Sequence, residues 1–225
     1  MSETRQGPDW VCVNPQAAWQ ARDSMGDFVY QDHLWILGGW FSSYAEPPRD
    51  VWSSADGVQW ERATESACWK HADLPTSLVF DDGMWMMGGW HNGRLPGASG
   101  SNQVWFSRDG ANWEQATGNA GWTPRLGAAG VVFDGKMWIL GGSEQYFFGT
   151  EKSLRNDVWC SSDGKEWKQV TASAPWPSAG GERGAASTTS LTSSSPPVSG
   201  PGSSSTAGKR AAIPEVWFPR ETAKP

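Results

Sequence analysis

The sequence repeats itself at intervals of 50 to 54 residues, and this constrains its fold more than any other feature. The segments VYQDHLWILGGW, VFDDGMWMMGGW and VFDGKMWILGGS superpose without a gap, and a Val-Trp pair follows each of them. The Gly pairs stand at 38–39, 88–89 and 141–142, and the Val-Trp pairs at 51–52, 104–105 and 158–159. Repeats of this length are supersecondary units that bury apolar surface only against their neighbours.

Each unit is predicted to contain four short strands. In the third unit, apolar runs at 130–133 and 137–140 flank Asp134-Gly135, a dipeptide suited to a two-residue hairpin because it tolerates positive φ. The Val-Trp segment, a second Asp-Gly turn and a segment that opens on Trp supply the third and fourth strands. No stretch has the helical apolar spacing over three turns. We therefore predict an all-β fold of four-stranded antiparallel blades that stack around an axis as a β-propeller.

Tryptophan is unusually frequent, at 17 of 225 residues, and most of it follows the repeat. Each complete unit has four repeat tryptophans, and Trp10 and Trp19 keep the nine-residue interval that ends each unit. A side chain that recurs at one place in every unit is explained by packing between blades. Repeated residues therefore stabilise the fold, and function is expected in residues that do not repeat.

The repeat resembles a known family. A strand that ends in Gly-Gly, a variable loop, and an aromatic strand with a Trp that closes a unit of about 50 residues are similar to the kelch motif, which also occurs in the central domain of galactose oxidase. The turn pattern S-x-D-G-x-x-W also resembles the Asp-box of sialidase propellers with one residue fewer. The resemblance covers residues 9 to 176 and implies a kelch-type propeller.

The propeller segment, 9–176, is divided into a closing strand and three clear blades. The closing strand is 9–19, and the blades are 20–69, 70–122 and 123–176. Because Trp10 to Trp19 matches the last strand of a unit, the N-terminal strand is predicted to complete the last blade.

The remaining residues are predicted to be of two kinds. From 177 to 212, 30 of 36 residues are Gly, Ser, Thr, Pro or Ala and none is aromatic, which indicates disorder. Residues 213–225 contain another Val-Trp pair and are predicted to include a remnant strand of a degenerate fourth blade.

Two interpretations of the ring stay open. Either a degenerate fourth blade closes a four-bladed ring, or the chain is a truncated or altered copy of a domain with six or seven blades. The second is favoured, because 225 residues hold barely four units and most kelch rings have more. An incomplete ring would leave a blade face free for self-association.

Composition narrows the function classes. A net charge of -6 argues against nucleic acid as a partner. Cys12, Cys68 and Cys160 are isolated and the histidines are not clustered, so neither a metal site nor a cofactor is predicted. The N-terminal segment has no apolar leader stretch and the chain no 18-residue apolar run, so a cytoplasmic location without membrane contact is expected.

Catalytic motifs are not found, and an enzyme is the less favoured interpretation. The patterns GxSxG and HExxH are absent, and the Asp-Gly aspartates are explained as turn formers. The copper-site residues of galactose oxidase do not map onto the tyrosines and histidines of this chain. Arg22 and Arg125 open the first and third units, the second unit has Ala72 at this position, and a structural role is favoured for both arginines.

The loops after the Gly pairs are the predicted binding site. They span 40–50, 90–103 and 143–156, and they differ in length and composition while the strands around them do not. Their candidate residues combine Trp, Tyr and Arg, which dominate binding hot spots. The candidates are Trp40, Phe41, Tyr44, Trp90, His91, Arg94, Tyr146, Phe147, Phe148 and Arg155.

Two functions are compatible with this pattern. The first is a non-catalytic interaction module that binds a protein or peptide through these loops. The alternative is a fragment of a kelch-type enzyme that acts on carbohydrate, such as a sugar oxidase, a sialate mutarotase or a sialidase-like protein. The same loop residues have a second explanation, which is packing of loop against blade.

Overall fold

A computed structural model describes residues 10–41, 46–93, 95, 97, 99–146, 151–176 and 216–219, and the statements below concern these residues. Within them, the regular structure is β-strand except for a short 3-10 helix at Glu151–Ser153, so the predicted all-β class is confirmed. The strands are β1 Trp10–Asn14, β2 Gly26–Tyr30, β3 His33–Leu37, β4 Val51–Ser54, β5 Glu61–Thr64, β6 Thr76–Val79, β7 Met84–Met87, β8 Val104–Ser107, β9 Glu114–Thr117, β10 Ala129–Phe133, β11 Lys136–Ser143, β12 Leu154–Ser161, β13 Lys168–Thr171 and β14 Val216–Pro219.

Three four-stranded antiparallel sheets form the body of the protein. Their strand orders are β2-β3-β4-β5, β6-β7-β8-β9 and β10-β11-β12-β13, which we call the first, second and third blades. Strand β6 contacts both β2 and β10, so the first strands of the blades are the ones that lie next to each other. Asp134 and Gly135 form the β10–β11 turn with φ values of 50° and 65°, as predicted for a two-residue hairpin.

The core lies between the blades. Phe28, Tyr30 and Trp35 of the first blade are buried against Met84 and Met86 of the second. The interface between the second and third blades repeats this arrangement with Leu78, Trp85 and Met87 on one side and Met137 and Ile139 on the other. The first and second blades therefore bury this apolar face only because the next blade covers it.

Tryptophans at the end of one unit pack against tryptophans of the next blade. The rings meet edge-on, with interplanar angles of 80° to 86°. The pairs are Trp19 with Trp60, Trp69 with Trp113, and Trp122 with Trp167. Trp176, the next residue in this series, is 44% exposed.

Strands β1 and β14 form a separate two-stranded antiparallel sheet. Their pairing register matches that of the third and fourth strands of the first blade. Both pairs also have a register shift next to the Val residue of the third strand. The matched pairs are Val216 with Asn14 and Trp217 with Cys12 in this sheet, and Val51 with Thr64 and Trp52 with Arg62 in the first blade. The sheet therefore has the form of the outer half of a blade. The predicted low-complexity segment, 177–212, lies outside the described residues.

Candidate functional site

The Gly pairs turn the chain back towards the start of each blade. Gly39 has φ +92° and a Cβ atom there would lie 2.5 Å from the carbonyl oxygen of Asp23, so only glycine fits. The residue after the Gly pair then forms an antiparallel bridge to the segment that precedes the blade. The bridges join Asp23 to Trp40, Asp73 to Trp90 and Leu126 to Ser143.

This geometry brings three predicted site residues together. The ring of Tyr146 lies 6.5 Å from that of Trp40 and 5.8 Å from that of Trp90, measured between centroids. We call these three residues the aromatic cluster. Each comes from a different loop, and each is at most 9% exposed. The three rings pack loop against loop, whereas the alternative to binding that the sequence left open is packing of loop against blade.

The second loop is fitted closely to the first. A Cβ atom on Gly93 would lie 1.8 Å from the Trp40 ring, so the backbone of one loop rests on the indole of the other. The Trp90 indole N–H donates to the Gly93 carbonyl over 2.8 Å. The aromatic cluster therefore fixes the loops relative to each other.

A buried carboxyl group lies beside the aromatic cluster. Asp73 is fully buried, and among the described residues neither of its carboxylate oxygens has a hydrogen-bond partner of ordinary geometry. Burial raises the pKa of Asp73 to about 7; the Tyr146 side chain acts against that shift and the charge of Asp23 adds to it. Such a group exchanges its proton near neutral pH.

Two imidazoles lie at the edge of the same region. The rings of His71 and His91 are 5.7 Å apart, and His91 Nε2 lies 3.5 Å from a carboxylate oxygen of Glu46. Burial, followed by the charges of His91 and Lys70, lowers the pKa of His71 to about 4. His71 is therefore neutral at physiological pH.

The remaining predicted site residues fall into two groups. Phe41 is 41% exposed beside Trp40, and Arg155 forms an ion pair with Glu144, with 2.8 Å between Arg155 Nε and Glu144 Oε1. Arg155 also lines a cleft of about 530 Å³ in the third blade, together with Trp159. The other predicted residues lie outside the described part of the chain: Tyr44, Arg94, Phe147 and Phe148.

Sequence reasoning missed Asp73 and His71. The available signal was a comparison of units, which places Asp23, Asp73 and Leu126 at one position, immediately before the first strand of each blade. That comparison does not reveal that Tyr146 of a distant loop lies next to Asp73.

Arg22 and Arg125 have structural roles within their own blades. Arg125 is 1% exposed and donates to the Gly141 carbonyl over 2.8 Å and to the Asp157 carboxylate over 2.6 and 3.0 Å. Arg22 makes the equivalent contacts with Gly38 and Asp50. The second blade has Ala72 and Gln103 at these two positions, so both partners of the pair are replaced together.

The Asp-Gly turns between third and fourth strands also have a structural explanation. In the first blade Ser54 accepts a hydrogen bond from the Gly57 N–H, and Asp56 accepts from the N–H groups of Val58 and Gln59. The Trp60 indole donates to the Gly57 carbonyl. The other two blades repeat these bonds, which supports the prediction that the aspartates are turn formers.

Neither a metal-binding group nor a membrane-spanning helix occurs among the described residues. No three His, Cys, Asp or Glu side chains among them are grouped as a metal site would require. Within the same residues, no helix has the length and apolar character needed to cross a membrane.

Comparison with known proteins bears on the fold. No family model matches the sequence, and no curated protein matches it. The solved structure of YjhT matches with a TM-score of 0.54 and 16% sequence identity. The match covers 73% of this chain and 55% of the YjhT chain, so this protein spans about half the length of that structure. At this identity the match supports a propeller-like arrangement of the blades and nothing further.

Proposed function

We propose that this chain is a non-catalytic recognition module, which binds a protein or peptide through the loops that follow the Gly pairs. The observation that supports this most is the convergence of Trp40, Trp90 and Tyr146, which come from three loops of different sequence. The repeat does not require an aromatic residue at any of these positions. Here buried aromatic side chains hold variable loops in place. Variable loops on a rigid scaffold are where binding residues are commonly found.

The aromatic cluster holds the loops in place, and the exposed residues next to the cluster are the proposed contact residues. Phe41 is 41% exposed and Leu95 is 44% exposed, and each follows closely on a residue that the cluster holds in place. Loops that are fixed before binding lose little conformational entropy when a partner arrives. Exposed apolar side chains on such a rigid base are suitable anchors for an apolar partner residue.

Exposed carboxylates near these loops support a proposal about the partner's chemistry. Asp23 is exposed at the bridge to Trp40, and the Glu46 side chain is 74% exposed. A basic group on the partner would complement these carboxylates and speed association. The proposed ligand is therefore a peptide segment with an apolar and a basic side chain close together.

One observation favours the carbohydrate alternative. The cleft in the third blade places the half-buried indole of Trp159 beside Arg155, Asn156 and Gln169. An aromatic surface next to several polar groups is a common arrangement in small-ligand sites. A carbohydrate would be bound at this cleft and not at the aromatic cluster.

The test is selection of peptides from a random displayed library on the immobilised full chain. We expect selected peptides to combine apolar and basic residues, and to lose at least tenfold in affinity for the double variant Phe41→Ser/Leu95→Ser. Glu46→Gln should weaken the binding of the peptides that contain basic residues. Val58→Ser serves as the matched control, because Val58 is 36% exposed in the β4–β5 turn, at the other end of the strands.

Three results would contradict the proposal. The first is a failure to select any peptide. The second is a set of selected peptides that bind the double variant as tightly as they bind the wild type. The third is that no peptide is selected but glycans bind, and Trp159→Ala abolishes the glycan binding. The last result would favour the carbohydrate alternative.

A further inference from the structure

The far face of the third blade has the same design as two faces that are buried. In the first blade, Phe28 and Tyr30 are each 5% exposed, because Met84 and Met86 of the next blade cover them. In the second blade, Leu78 occupies the position of Phe28 and is 3% exposed. Both buried faces are covered in the same way, by the inner hairpin of the following blade.

The third blade presents the equivalent residues to solvent. Val131 corresponds to Phe28 and Leu78 and is 45% exposed, and Phe133 corresponds to Tyr30 and is 67% exposed. Val170, which takes the place of the partly buried Ala63 and Ala116, is 51% exposed. Among the described residues, nothing covers this face.

The opposite side of the same gap is uncovered only at its first strand, because Ala17 and Trp19 pack on Ile36 of the second strand. Val29 of the first blade is 71% exposed, whereas Val79, its equivalent in the second blade, packs on the core between the first two blades. The far face of the third blade and the first strand of the first blade are thus exposed on the two sides of this gap. No strand among the described residues forms the inner half of a blade between them.

The sheet of β1 and β14 has the form of the outer half of a blade and lies beside the first blade, where Asn14 Nδ2 donates to the Val58 carbonyl over 2.7 Å. In the complete blades the third strand pairs with the fourth on one edge and with the second on the other. β14 has the third-strand register but pairs only with β1 among the described strands. Its other edge therefore offers free backbone N–H and C=O groups to an added strand.

The chain's own composition argues against an internal occupant. Residues 177–212 contain no aromatic side chain, and Leu191 and Val198 are their only large aliphatic residues. A second copy is also a poor donor, because each of its inner hairpins is already paired within a blade.

We propose that the far face of the third blade and the free edge of β14 together accept a two-stranded antiparallel β-hairpin from another polypeptide. Its strands carry large apolar side chains at alternate positions, as the inner hairpins of the blades do. One strand pairs with β14, and the apolar side chains of the hairpin cover Val131 and Phe133. The occupant thereby supplies the first and second strands of a fourth blade.

The probe is a dye-labelled synthetic peptide, TSLVFDDGMWMMGG, which has the sequence of residues 76–89. It includes Met84 and Met86, which cover the equivalent face of the first blade. The matched control peptide has Ser in place of both. Binding is measured by fluorescence anisotropy with the full chain, and circular dichroism checks the fold of each variant.

We expect saturable binding that weakens at least tenfold for the Ser peptide and at least tenfold for Val131→Asp/Phe133→Asp. Leu95→Asp, which alters the proposed loop surface, should bind the probe within twofold of the wild type, so failure here is separable from failure of the proposed function. If the double Asp variant does not fold, the comparison of the two peptides still decides.

Three outcomes would overturn the inference. They are absence of saturable binding, equal binding of the two peptides, and a dimer detected by light scattering that Phe133→Asp converts to a monomer. The last outcome would mean that a second copy covers this face.

Discussion

Trp122, at the end of the second unit, lies edge-on against Trp167 of the third blade with 4.4 Å between ring centroids. Trp122 is 2% exposed, and Trp69 occupies the same position one unit earlier with no exposed surface. Edge-on aromatic pairs add a specific attraction to the burial of their area. Trp176 has the same sequence position but is 44% exposed.

Replacement of Trp122 by Ala should destabilise the protein far more than replacement of Trp176. A fully buried Trp that is truncated to Ala leaves a cavity and costs about 3 to 5 kcal/mol. Trp176→Ala, the matched control, should cost less than about 1.5 kcal/mol. Urea unfolding followed by tryptophan fluorescence measures both, and equal losses would contradict the interpretation of Trp122 as an interblade contact.

Arg125→Ala should cost about 3 to 5 kcal/mol, because it leaves the buried Asp157 carboxylate unpaired. Burial raises the pKa of Asp157, but hydrogen bonds from Arg125 and Trp159 lower it below its usual value overall. The double variant Arg125→Ala/Asp157→Gln reproduces the Ala72 and Gln103 pair of the second blade. It should recover most of the lost stability, and a double variant as unstable as the single one would contradict this account.

Asp73→Asn should stabilise the protein at pH 8 and have no effect near pH 4. The folded-state pKa of about 7 lies above the ordinary value of 3.8, so the folded protein binds more protons than the unfolded chain between these values. Its stability therefore falls as pH rises from about 4 to 7, by an amount on the order of 2 to 4 kcal/mol. The measurement is the melting temperature of both proteins from pH 4 to pH 8.

A constant difference between the two proteins would contradict the assignment of a buried carboxyl to Asp73. His71 acts in the opposite direction, because its folded-state pKa of about 4 lies below the ordinary 6.5. The contribution of His71 to the stability of the folded protein therefore decreases as pH falls from 6.5 to about 4. Since His71 is present in both proteins, its contribution cancels in the comparison.

Gly164→Ala should be more destabilising than Gly135→Ala, although both glycines have positive φ. A Cβ atom on Gly164 would lie 2.1 Å from the Trp85 ring of the preceding blade, whereas nothing lies within 4 Å at Gly135. The backbone penalty of about 1 kcal/mol is common to both, so the excess measures the clash. We expect an excess above about 2 kcal/mol in chemical denaturation, and similar losses would contradict the close approach of the Gly164 turn to Trp85.

Most of the blade structure follows from the sequence because it depends on local pattern. Asp134-Gly135 specifies a tight turn, and the apolar runs beside it specify the two strands. The repeat then extends this assignment to the other blades. Even where the turn lacks glycine, as at Gln31-Asp32, the backbone adopts positive φ at both residues.

The candidate site depends on distant contacts that no local pattern encodes. Trp40 and Tyr146 are candidates by residue type, but their burial follows from the meeting of three loops around one point. Asp73 gives no local signal of its raised pKa, since the cause is its surroundings in three dimensions. The exposure of Phe133 is equally non-local, because its equivalent Tyr30 has the same strand context and is buried.

The pairing of β1 with β14 has a consequence for the order of folding. Trp10 and Pro219 are about 200 residues apart in sequence, whereas the strands within each blade are joined by short connections. Contacts between distant segments form slowly, because the chain loses loop entropy before the contact stabilises it. We expect the three blades to assemble first and this sheet to form last and to open first. Its amide hydrogens should therefore exchange with solvent well before those of the blades.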